Sequence, residues 1–397
     1  MRIGILTFHN ACSHGAVLQC YALQTVLERL GHEVRIIDYR QKYIENLYSP
    51  FSLELLPLRP CAAYRYLREI KNKLGIRLKF KSFLPKYLHV TSKVCDAETL
   101  PTDFDTYIIG SDQVWSVNCT KKLDPVYFGR FKRDKTSRMI GYGISVPENL
   151  LKEIEIPWLK ESLSRFDAIS FREQKNTEYI SGLFPFSKPV TVVDPTLLLD
   201  KEDYDDLMES EAPKGVCTYI FDYRLSKKQR KDISRQAMQY ASANCLPLFN
   251  LQKKLINPGE LISYIKDADI VITNSFHVCV MSIILRKKFQ CIVCGDESDL
   301  RYEALLKSIG AENALCKPES LDFNVSINYK TIEKNLRKLR NQSLNFLYRN
   351  LTVAAASLPQ TCPHEPTTVA AAGMPQQQNT KSDNESPASN ICNSGSL

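Results

Sequence analysis

The sequence lacks any stretch that is long and apolar enough to span a bilayer. A membrane helix needs about 18 to 20 consecutive apolar residues, and no run in this chain approaches that length. Residues 1–8 are too few, and turn polar too quickly, to form a secretory signal. These two absences predict a soluble protein of the cytoplasm.

Cysteine is plentiful, but its arrangement suits neither a disulfide framework nor a metal site. The 13 cysteines are odd in number and scattered, and most lie inside apolar patterns, as free thiols do in a reducing compartment. Cys291 and Cys294 have the spacing of a zinc knuckle, but no second pair or nearby histidine completes a set. We therefore expect no metal and no cofactor.

The net charge of +8 comes from one segment. Residues 59–93 contain ten Lys or Arg and one acid, interleaved with aromatic and aliphatic residues at roughly helical spacing. Such a basic helix either contacts an anionic membrane surface or a phosphorylated acceptor, or is an ordinary surface helix with a solvated face. The charge is not accompanied by a nucleic-acid recognition motif, so we expect no nucleic acid as partner.

The chain opens with a complete α/β unit, and similar units recur. Residues 2–8 read as a strand, residues 16–30 as an amphipathic helix, and HEVRIIDY as the next strand. Repetition of this pattern predicts an α/β protein with two doubly wound, Rossmann-like domains. Their expected bounds are residues 1–190, with the basic helical insert, and 191–327, followed by a helix at 328–351 and a disordered tail at 352–397.

One histidine, His277, stands between a β-rich run and the apolar segment that follows it. Ligands of doubly wound folds bind outside the carboxyl ends of the strands, and a helix N-terminus favours an anion. His277 is therefore either a satisfied core or turn residue, or part of a ligand site at the edge of the sheet.

Two further polar residues follow strands. Asp112 comes after Gly110, where its carboxylate either deprotonates an acceptor hydroxyl or caps the next helix. Arg172 lies at a strand-to-helix turn. It either binds a phosphate or carboxylate of a ligand with two N–H groups, or forms an ion pair with Glu173 or Asp167.

Six segments carry a resemblance to a known family, in this order along the chain: IGILTFHNACSHGAVLQCYALQTVLERLGHEVRIIDYR, FDTYIIGSDQVWSVNCTKKLDPVYFGRF, FDAISFRE, VVDPTLLL, DADIVITNSFHVCVMSII and LRYEALLKSIG. From about residue 3 to residue 351 the chain resembles the polysaccharide pyruvyl transferase family. The resemblance implies a GT-B-like architecture of two Rossmann-like halves. It also implies transfer of a pyruvyl group from phosphoenolpyruvate onto two hydroxyls of a sugar, in a cell-surface polysaccharide or its lipid-linked precursor. Whether the basic segment also places the cytoplasmic protein at the inner face of the membrane depends on which of its two interpretations holds.

The chemistry of this transfer and the matching motifs together assign residues to roles. His277 is the expected general acid, which protonates the enol methylene, and Asp112 is its expected catalytic partner. The expected donor-binding residues are Arg172, Asn274, Ser275, Phe276 and Arg301. The residues expected on the acceptor side are Asn10, His14, Gly15, Ser111 and Gln113, although Gly15 has a permissive backbone as its alternative role. Asp194 matches the pattern too, but the Asp194-Pro195 pair favours a turn or cap.

The sequence departs from the family pattern at one position, where Val278 replaces the usual glycine after the histidine. A β-branched residue restricts close approach of a ligand to the backbone, so the anion cradle is expected to be tighter, shifted or built for another donor. Two alternatives therefore stay open: a GT-B glycosyltransferase that uses a nucleotide sugar, and a sugar-binding relative without catalysis.

Overall fold

The computed structural model describes residues 1–49 and 60–352, with residues 60–69 described as helix backbone only. Part of the predicted basic segment is thus outside the described residues, namely Arg59 and the side chains of Arg65 and Arg68. So is the predicted disordered tail beyond residue 352.

The first sheet has six parallel strands in the order β2-β1-β3-β4-β5-β6 within the described residues. Their bounds are β1 Arg2–Leu6, β2 Glu33–Ile36, β3 Thr106–Ile109, β4 Arg138–Ile144, β5 Ala168–Phe171 and β6 Val190–Thr191. The order along the sheet reverses direction between β1 and β3. The predicted domain boundary between residues 190 and 191 falls inside β6.

The second sheet has five parallel strands in the order β8-β7-β9-β10-β11 among the described residues. Their bounds are β7 Gly215–Tyr219, β8 Leu248–Asn250, β9 Ala268–Thr273, β10 Phe289–Ile292 and β11 Leu315–Cys316. Its order reverses between β7 and β9, the same doubly wound arrangement as in the first sheet. The predicted α/β class with two parallel, doubly wound sheets is confirmed.

Twelve α-helices lie in the described part of the chain. Their bounds are α1 His14–Arg29, α2 Lys42–Leu47, α3 Pro60–Tyr87, α4 Val117–Thr120, α5 Glu148–Lys152, α6 Ile156–Leu163, α7 Gln174–Leu183, α8 Lys227–Ala243, α9 Pro258–Lys266, α10 Phe276–Ile284, α11 Asp299–Ile309 and α12 Tyr329–Leu351. None of the described helices is long and apolar enough to cross a membrane.

Helix boundaries follow local chemistry. Gly31 directly follows the C-cap of α1 with φ +84°, a conformation that glycine adopts without strain. The side chain of Asn328 accepts a hydrogen bond from the backbone N–H of Thr331, so it caps the long helix α12 near the predicted start. Two helices begin earlier than the sequence suggests: α1 begins at His14 and not at residue 16, and α10 begins at Phe276 with Ser275 as N-cap, so His277 lies inside the helix and not before it.

One apolar core is shared by both sheets. It contains fully buried Ile5 of β1 and Leu23 of α1 together with Ile262 of α9, Val271 of β9 and Val280 of α10. Residues 1–353 accordingly group as one compact unit. Because α1 and α10 pack in the same core, the loops that precede them lie close to each other.

Candidate functional site

The site lies where the two reversals of strand order meet. In a doubly wound sheet the loops on either side of such a reversal diverge at the carboxyl edge and leave a crevice for a ligand. Here the loops after β1 and β3 carry the predicted acceptor residues. The loop after β9 carries Asn274 and Ser275, the first turn of α10 carries Phe276 and His277, and another loop follows β7.

Asp194 is the centre of the site. Its side chain is fully buried. Atom Oδ1 accepts hydrogen bonds from the backbone N–H and the hydroxyl of Thr196, which confirms the predicted cap role. Atom Oδ2 lies 2.7 Å from Nη1 of Arg172 and 3.5 Å from Nε2 of His277. Asp194 therefore joins the predicted general acid to a predicted donor-binding arginine.

Arg172 directly follows β5, and residues of the first sheet and its loops fix its side chain. Its side chain is 5% exposed, and its Nε donates a 2.9 Å hydrogen bond to the hydroxyl of Ser111. That hydroxyl in turn donates to the carbonyl oxygen of Gly143 at 3.1 Å. Ser111 is itself completely buried. The structure thus places Ser111 as a support for Arg172.

The alternative partners of Arg172 are occupied elsewhere. Glu173 accepts hydrogen bonds from the hydroxyl of Ser145 and the side-chain amide of Asn176. Asp167 accepts one from the backbone N–H of Met139. Among the described residues, the ion pair of Arg172 is with Asp194.

His277 occupies the first turn of α10 and lies against the first turn of α1. A Cβ atom on Gly15 would lie 2.1 Å from Nδ1 of His277, so only glycine leaves room for the imidazole ring. The helix dipoles of α1 and α10 disfavour a positive charge at their N-terminal ends, whereas the carboxylate of Asp194 favours it. The ring therefore lies between two opposing electrostatic influences.

Two guanidinium groups lie close to the ring of Phe276. The Cζ atom of Arg172 is 5.7 Å from the ring centroid and that of Arg301 is 5.9 Å from it. Arg301 makes no hydrogen bond or ion pair with the described residues. Together with Asp194 these side chains line a cavity of about 350 Å³, named the Phe276 cavity below.

Four buried polar atoms in this cluster have no hydrogen-bond partner among the described residues. They are Nη1 and Nη2 of Arg172, Oδ2 of Asp194 and Nε2 of His277. The 2.7 Å contact between Arg172 and Asp194 is a contact of charges whose alignment does not make a hydrogen bond. A buried unsatisfied polar atom costs about 1–3 kcal/mol. Such a concentration is typical of a site that binds a polar ligand.

Charge balance keeps Asp194 ionised. Burial alone would raise the pKa of this carboxyl group, but the charges of Arg172 and His277, with the hydrogen bond from Thr196, outweigh burial. The pKa of Asp194 is therefore held well below its usual range. Burial lowers the pKa of Arg301, and Glu173 opposes that effect. No group of three or more His, Cys, Asp or Glu side chains within the described residues is placed to hold a metal ion.

The other predicted residues of the first βα loop have protein partners. His14 is buried, with Nε2 2.9 Å from the carbonyl oxygen of Ile256 and Nδ1 3.3 Å from the hydroxyl of Tyr219. Burial lowers its pKa to about 4. The side chain of Asn10 donates a 2.8 Å hydrogen bond to Glu45. The ring of His14 thus links the two halves, and both of its nitrogens face protein atoms.

Asp112 and Gln113 are partly exposed at the carboxyl end of β3. Asp112 has φ 64°, and its Oδ1 accepts a 2.8 Å hydrogen bond from the backbone N–H of Gln113. It caps no helix, because Ser116 is the N-cap of α4. Its negative charge, like that of Glu173, opposes the lowering of the pKa of Arg301 by burial.

Asn274 connects the loop after β9 to the loop after β7 through hydrogen bonds. Its side-chain oxygen accepts a 2.8 Å hydrogen bond from the backbone N–H of Phe221, and its carbonyl oxygen accepts one from Arg224. Arg224 also pairs with Asp296 and Asp299, which fixes the loop after β10. Ser275 makes no side-chain cap, so no side chain competes there for the first N–H groups of α10.

Two residues with structural influence here were underestimated or missed from the sequence. The Asp194-Pro195 pair favours a turn or cap, and nothing in the neighbouring residues indicates the second contact of Asp194, with Arg172 and His277. Arg224 was not singled out. Its position after the first strand of the second sheet was a usable signal, because that loop borders the reversal of strand order.

Remote structural likenesses are numerous. UDP-GlcNAc 2-epimerase from Methanocaldococcus jannaschii shares 11% identity, covering 86% of this chain and 93% of that one, with a TM-score of 0.42. A putative UDP-N-acetylglucosamine 2-epimerase from Listeria monocytogenes shares 9%, covering 88% and 91%, with a TM-score of 0.43. The SsfS6 glycosyltransferase from Streptomyces sp. SF2575 shares 10%, covering 87% and 96%, with a TM-score of 0.35.

Comparison of sequences gives a more specific result. No curated protein gives a significant match to this chain. A family model described as polysaccharide pyruvyl transferase matches residues 14–296, which is most of the chain. The matched region contains Gly15, Asp112, Arg172, Asp194 and His277.

Proposed function

The chain belongs to the polysaccharide pyruvyl transferase family, and on that premise we propose that it moves a pyruvyl group from phosphoenolpyruvate onto two hydroxyls of a sugar. The product is a cyclic ketal, and the acceptor is a sugar of a cell-surface polysaccharide or of its precursor. The Phe276 cavity and the adjoining His277 are the proposed reaction site.

The observation that supports this proposal is the cluster of orphaned polar atoms on Arg172, Asp194 and His277. Phosphoenolpyruvate carries a carboxylate and a phosphate, so its site needs at least two separate sets of cationic or N–H donors. Arg172 and Arg301 offer two guanidinium groups, 5.7 Å and 5.9 Å from the centroid of one ring. The first turn of α10 adds backbone N–H groups and the positive end of its dipole.

The proposed reaction balances without a redox partner. One proton is added to the methylene carbon of phosphoenolpyruvate, which gives C2 oxocarbenium character. The two sugar hydroxyls form two C–O bonds to C2, and the bond from C2 to the phosphate oxygen breaks. Of the two hydroxyl protons released, one restores the acid and the other leaves with inorganic phosphate.

His277 is the proposed acid. Its Nε2 faces the orphaned cluster, and the 3.5 Å distance to Asp194 is too long for a strong hydrogen bond, so this nitrogen is free to turn towards a ligand. Asp194 is the proposed counter-charge of the imidazolium. Asp112, partly exposed in the same crevice, is the proposed base for an acceptor hydroxyl.

Calorimetric titration of phosphoenolpyruvate, at low salt and slightly acidic pH, tests the donor assignment. We expect binding to the wild type and at least tenfold weaker binding to Arg301→Ala. The substitution removes the guanidinium that has no partner among the described residues, so the anionic ligand loses a charged hydrogen-bond donor. His277→Ala is expected to bind more weakly as well. Lys307→Ala, which removes an exposed cation of the same helix α11, is the matched control and should bind like the wild type.

The same titration discriminates the alternatives. If phosphoenolpyruvate gives no heat with the wild type and a nucleotide sugar does, the chain is a glycosyltransferase and the proposal is refuted. If phosphoenolpyruvate binds but releases no inorganic phosphate with any of a panel of oligosaccharide acceptors, the proposal of catalysis fails and a binding protein is left.

A further inference from the structure

A second cavity lies at the other side of the first βα loop. It has a volume of about 580 Å³ and is bounded by the loop after β1, the end of β2 and the C-terminal half of α3. We call it the α3 groove. Phe80, Leu84 and Leu88 give one wall an apolar surface, and the buried pair of His9 and Asp38 forms part of the polar wall.

The cations of α3 fall into two groups with different surroundings. Lys79 pairs with Glu260 at 2.6 Å, and Lys86 pairs with Glu209 at 3.4 Å, so these two hold α3 to the second half. Arg77 and Lys81 instead line the groove and have no hydrogen bond or ion pair with the described residues. Within the part of the chain that the structure describes, the basic segment thus contains two cations that are paired with carboxylates of the second half, and two groove cations that are paired with none.

The unpaired cations converge on the same face. Arg77 and Lys81 are four residues apart on α3, where like charges repel and destabilise a helix by about 0.2–0.5 kcal/mol. Across the groove Arg40 contributes a further cation, but its guanidinium pairs with the carboxylates of Asp38 and Glu45. An anion in the groove would relieve the repulsion and replace the missing acidic partner.

From this arrangement we propose that the α3 groove binds a phosphate or diphosphate group attached to the acceptor sugar. The inference rests on the proposed function, since it names the chemical class of that acceptor. Cys12 lines the groove and Gly15 abuts His277, and three residues span at most about 11 Å. The groove therefore begins within reach of the acid for a sugar whose phosphate it holds.

The apolar wall fits the same ligand. A free inorganic ion needs only cations and N–H groups, whereas Phe80 and Leu84 offer surface for an organic group beyond the phosphate. Asp194 and Arg172 line the Phe276 cavity and not the groove. Donor and acceptor phosphates would thus have separate cationic sites.

Calorimetric titration of inorganic pyrophosphate at low salt tests the proposal with four proteins. The double variant Arg77→Ala, Lys81→Ala, called the groove variant, should have a dissociation constant for pyrophosphate at least tenfold higher than that of the wild type. Lys71→Ala with Lys160→Ala removes the same charge from exposed positions outside the groove and should change it less than twofold. Arg172→Ala should retain this binding, because Arg172 belongs to the other cavity.

Two further arms identify the source of the anion. Glucose 1-phosphate should displace pyrophosphate from the wild type. Vesicles of anionic phospholipid should bind the wild type and the groove variant equally. If vesicle binding, and not pyrophosphate binding, depends on Arg77 and Lys81, the groove face is a membrane contact and the proposal is overturned.

Other outcomes also refute the inference, and they do so independently of the donor. Pyrophosphate binding that survives in the groove variant and disappears in Arg172→Ala would show that the anion binds only in the Phe276 cavity. No binding of either probe to the wild type would overturn it as well. Phosphoenolpyruvate should bind the groove variant as tightly as it binds the wild type. If phosphoenolpyruvate does not bind the wild type but pyrophosphate does, the proposed donor is wrong, and the anion site in the groove is unaffected.

Discussion

Replacing Asp194 with asparagine separates the stability of the site from its affinity for an anion. Asparagine keeps an oxygen for the two hydrogen bonds from Thr196 but removes the negative charge. Arg172, only 5% exposed, then has a buried charge without its counter-ion. Breaking a buried pair by removing one partner typically costs about 3–5 kcal/mol.

The pH dependence of this loss has a definite sign. The pKa of Asp194 in the folded protein is held below its ordinary value, mainly by the charge of Arg172 against the effect of burial. Its contribution to stability is therefore present above about pH 4, the unfolded value, and is lost as the pH falls further through the folded pKa. The difference between wild type and Asp194→Asn should be constant near neutral pH and shrink below pH 4.

Donor affinity should change in the opposite direction. A unit charge about 8 Å away contributes about 2 kcal/mol at an effective dielectric constant of 20, so removing the carboxylate should strengthen binding of an anionic donor roughly thirtyfold. Turnover should fall nevertheless, because the imidazolium of His277 loses its counter-charge. Lower stability, tighter binding and slower turnover together form a pattern that a simple folding defect does not produce.

Urea unfolding from pH 3 to pH 7 and calorimetric titration of phosphoenolpyruvate measure the two effects. Asp200→Asn is the matched control: this carboxylate is 70% exposed in its pair with Arg340, and its loss should change stability by less than about 1 kcal/mol. An Asp194→Asn protein as stable as the wild type, or one that binds the donor more weakly, would contradict the reasoning.

Three further outcomes are expected. Gly15→Ala should destabilise the protein by about 1–3 kcal/mol although alanine favours a helix, and in a His277→Ala background the change should become neutral or stabilising, which a urea-unfolding cycle measures. The folded pKa of His14 is about 4, below the unfolded value. From pH 6.5 to pH 4 the wild type should therefore lose up to about 3 kcal/mol more unfolding free energy than His14→Gln, and equal losses would contradict its burial as a neutral ring. Phe276→Leu should weaken phosphoenolpyruvate binding about three- to tenfold in calorimetry, since both guanidinium groups lose their aromatic partner; unchanged affinity would show that the ring does not orient them.

The fold was predictable because its signals are local. Short apolar strands alternate with amphipathic helices, and residues such as Gly31 mark where a helix ends. Periodicity also locates the carboxyl ends of strands, so the positions of Asp112, Arg172 and His277 near a crevice followed from parallel topology. Strand order itself was not accessible, because it depends on pairing between distant segments.

The internal connections of the site were not predictable in the same way. The contact of Asp194 with Arg172 and His277 joins three segments far apart in the chain, and nothing in the local sequence distinguishes it from an ordinary turn. His14 was expected on the acceptor side on the strength of its loop. Its ring instead reaches Tyr219 and Ile256 of the other half, a direction set by tertiary packing.

The replacement of glycine by Val278 has a narrower consequence than the sequence suggested. The Val278 side chain is 2% exposed and belongs to the core shared by both sheets, so it projects away from the ligand crevice. Its influence on a bound anion therefore acts through the backbone of α10. The close approach that does require glycine lies across the crevice at Gly15, where the ring of His277 occupies the space of a Cβ atom. The position of the imidazole thus depends on a glycine in the first half of the chain and a carboxylate, Asp194, that follows the last strand of the same half.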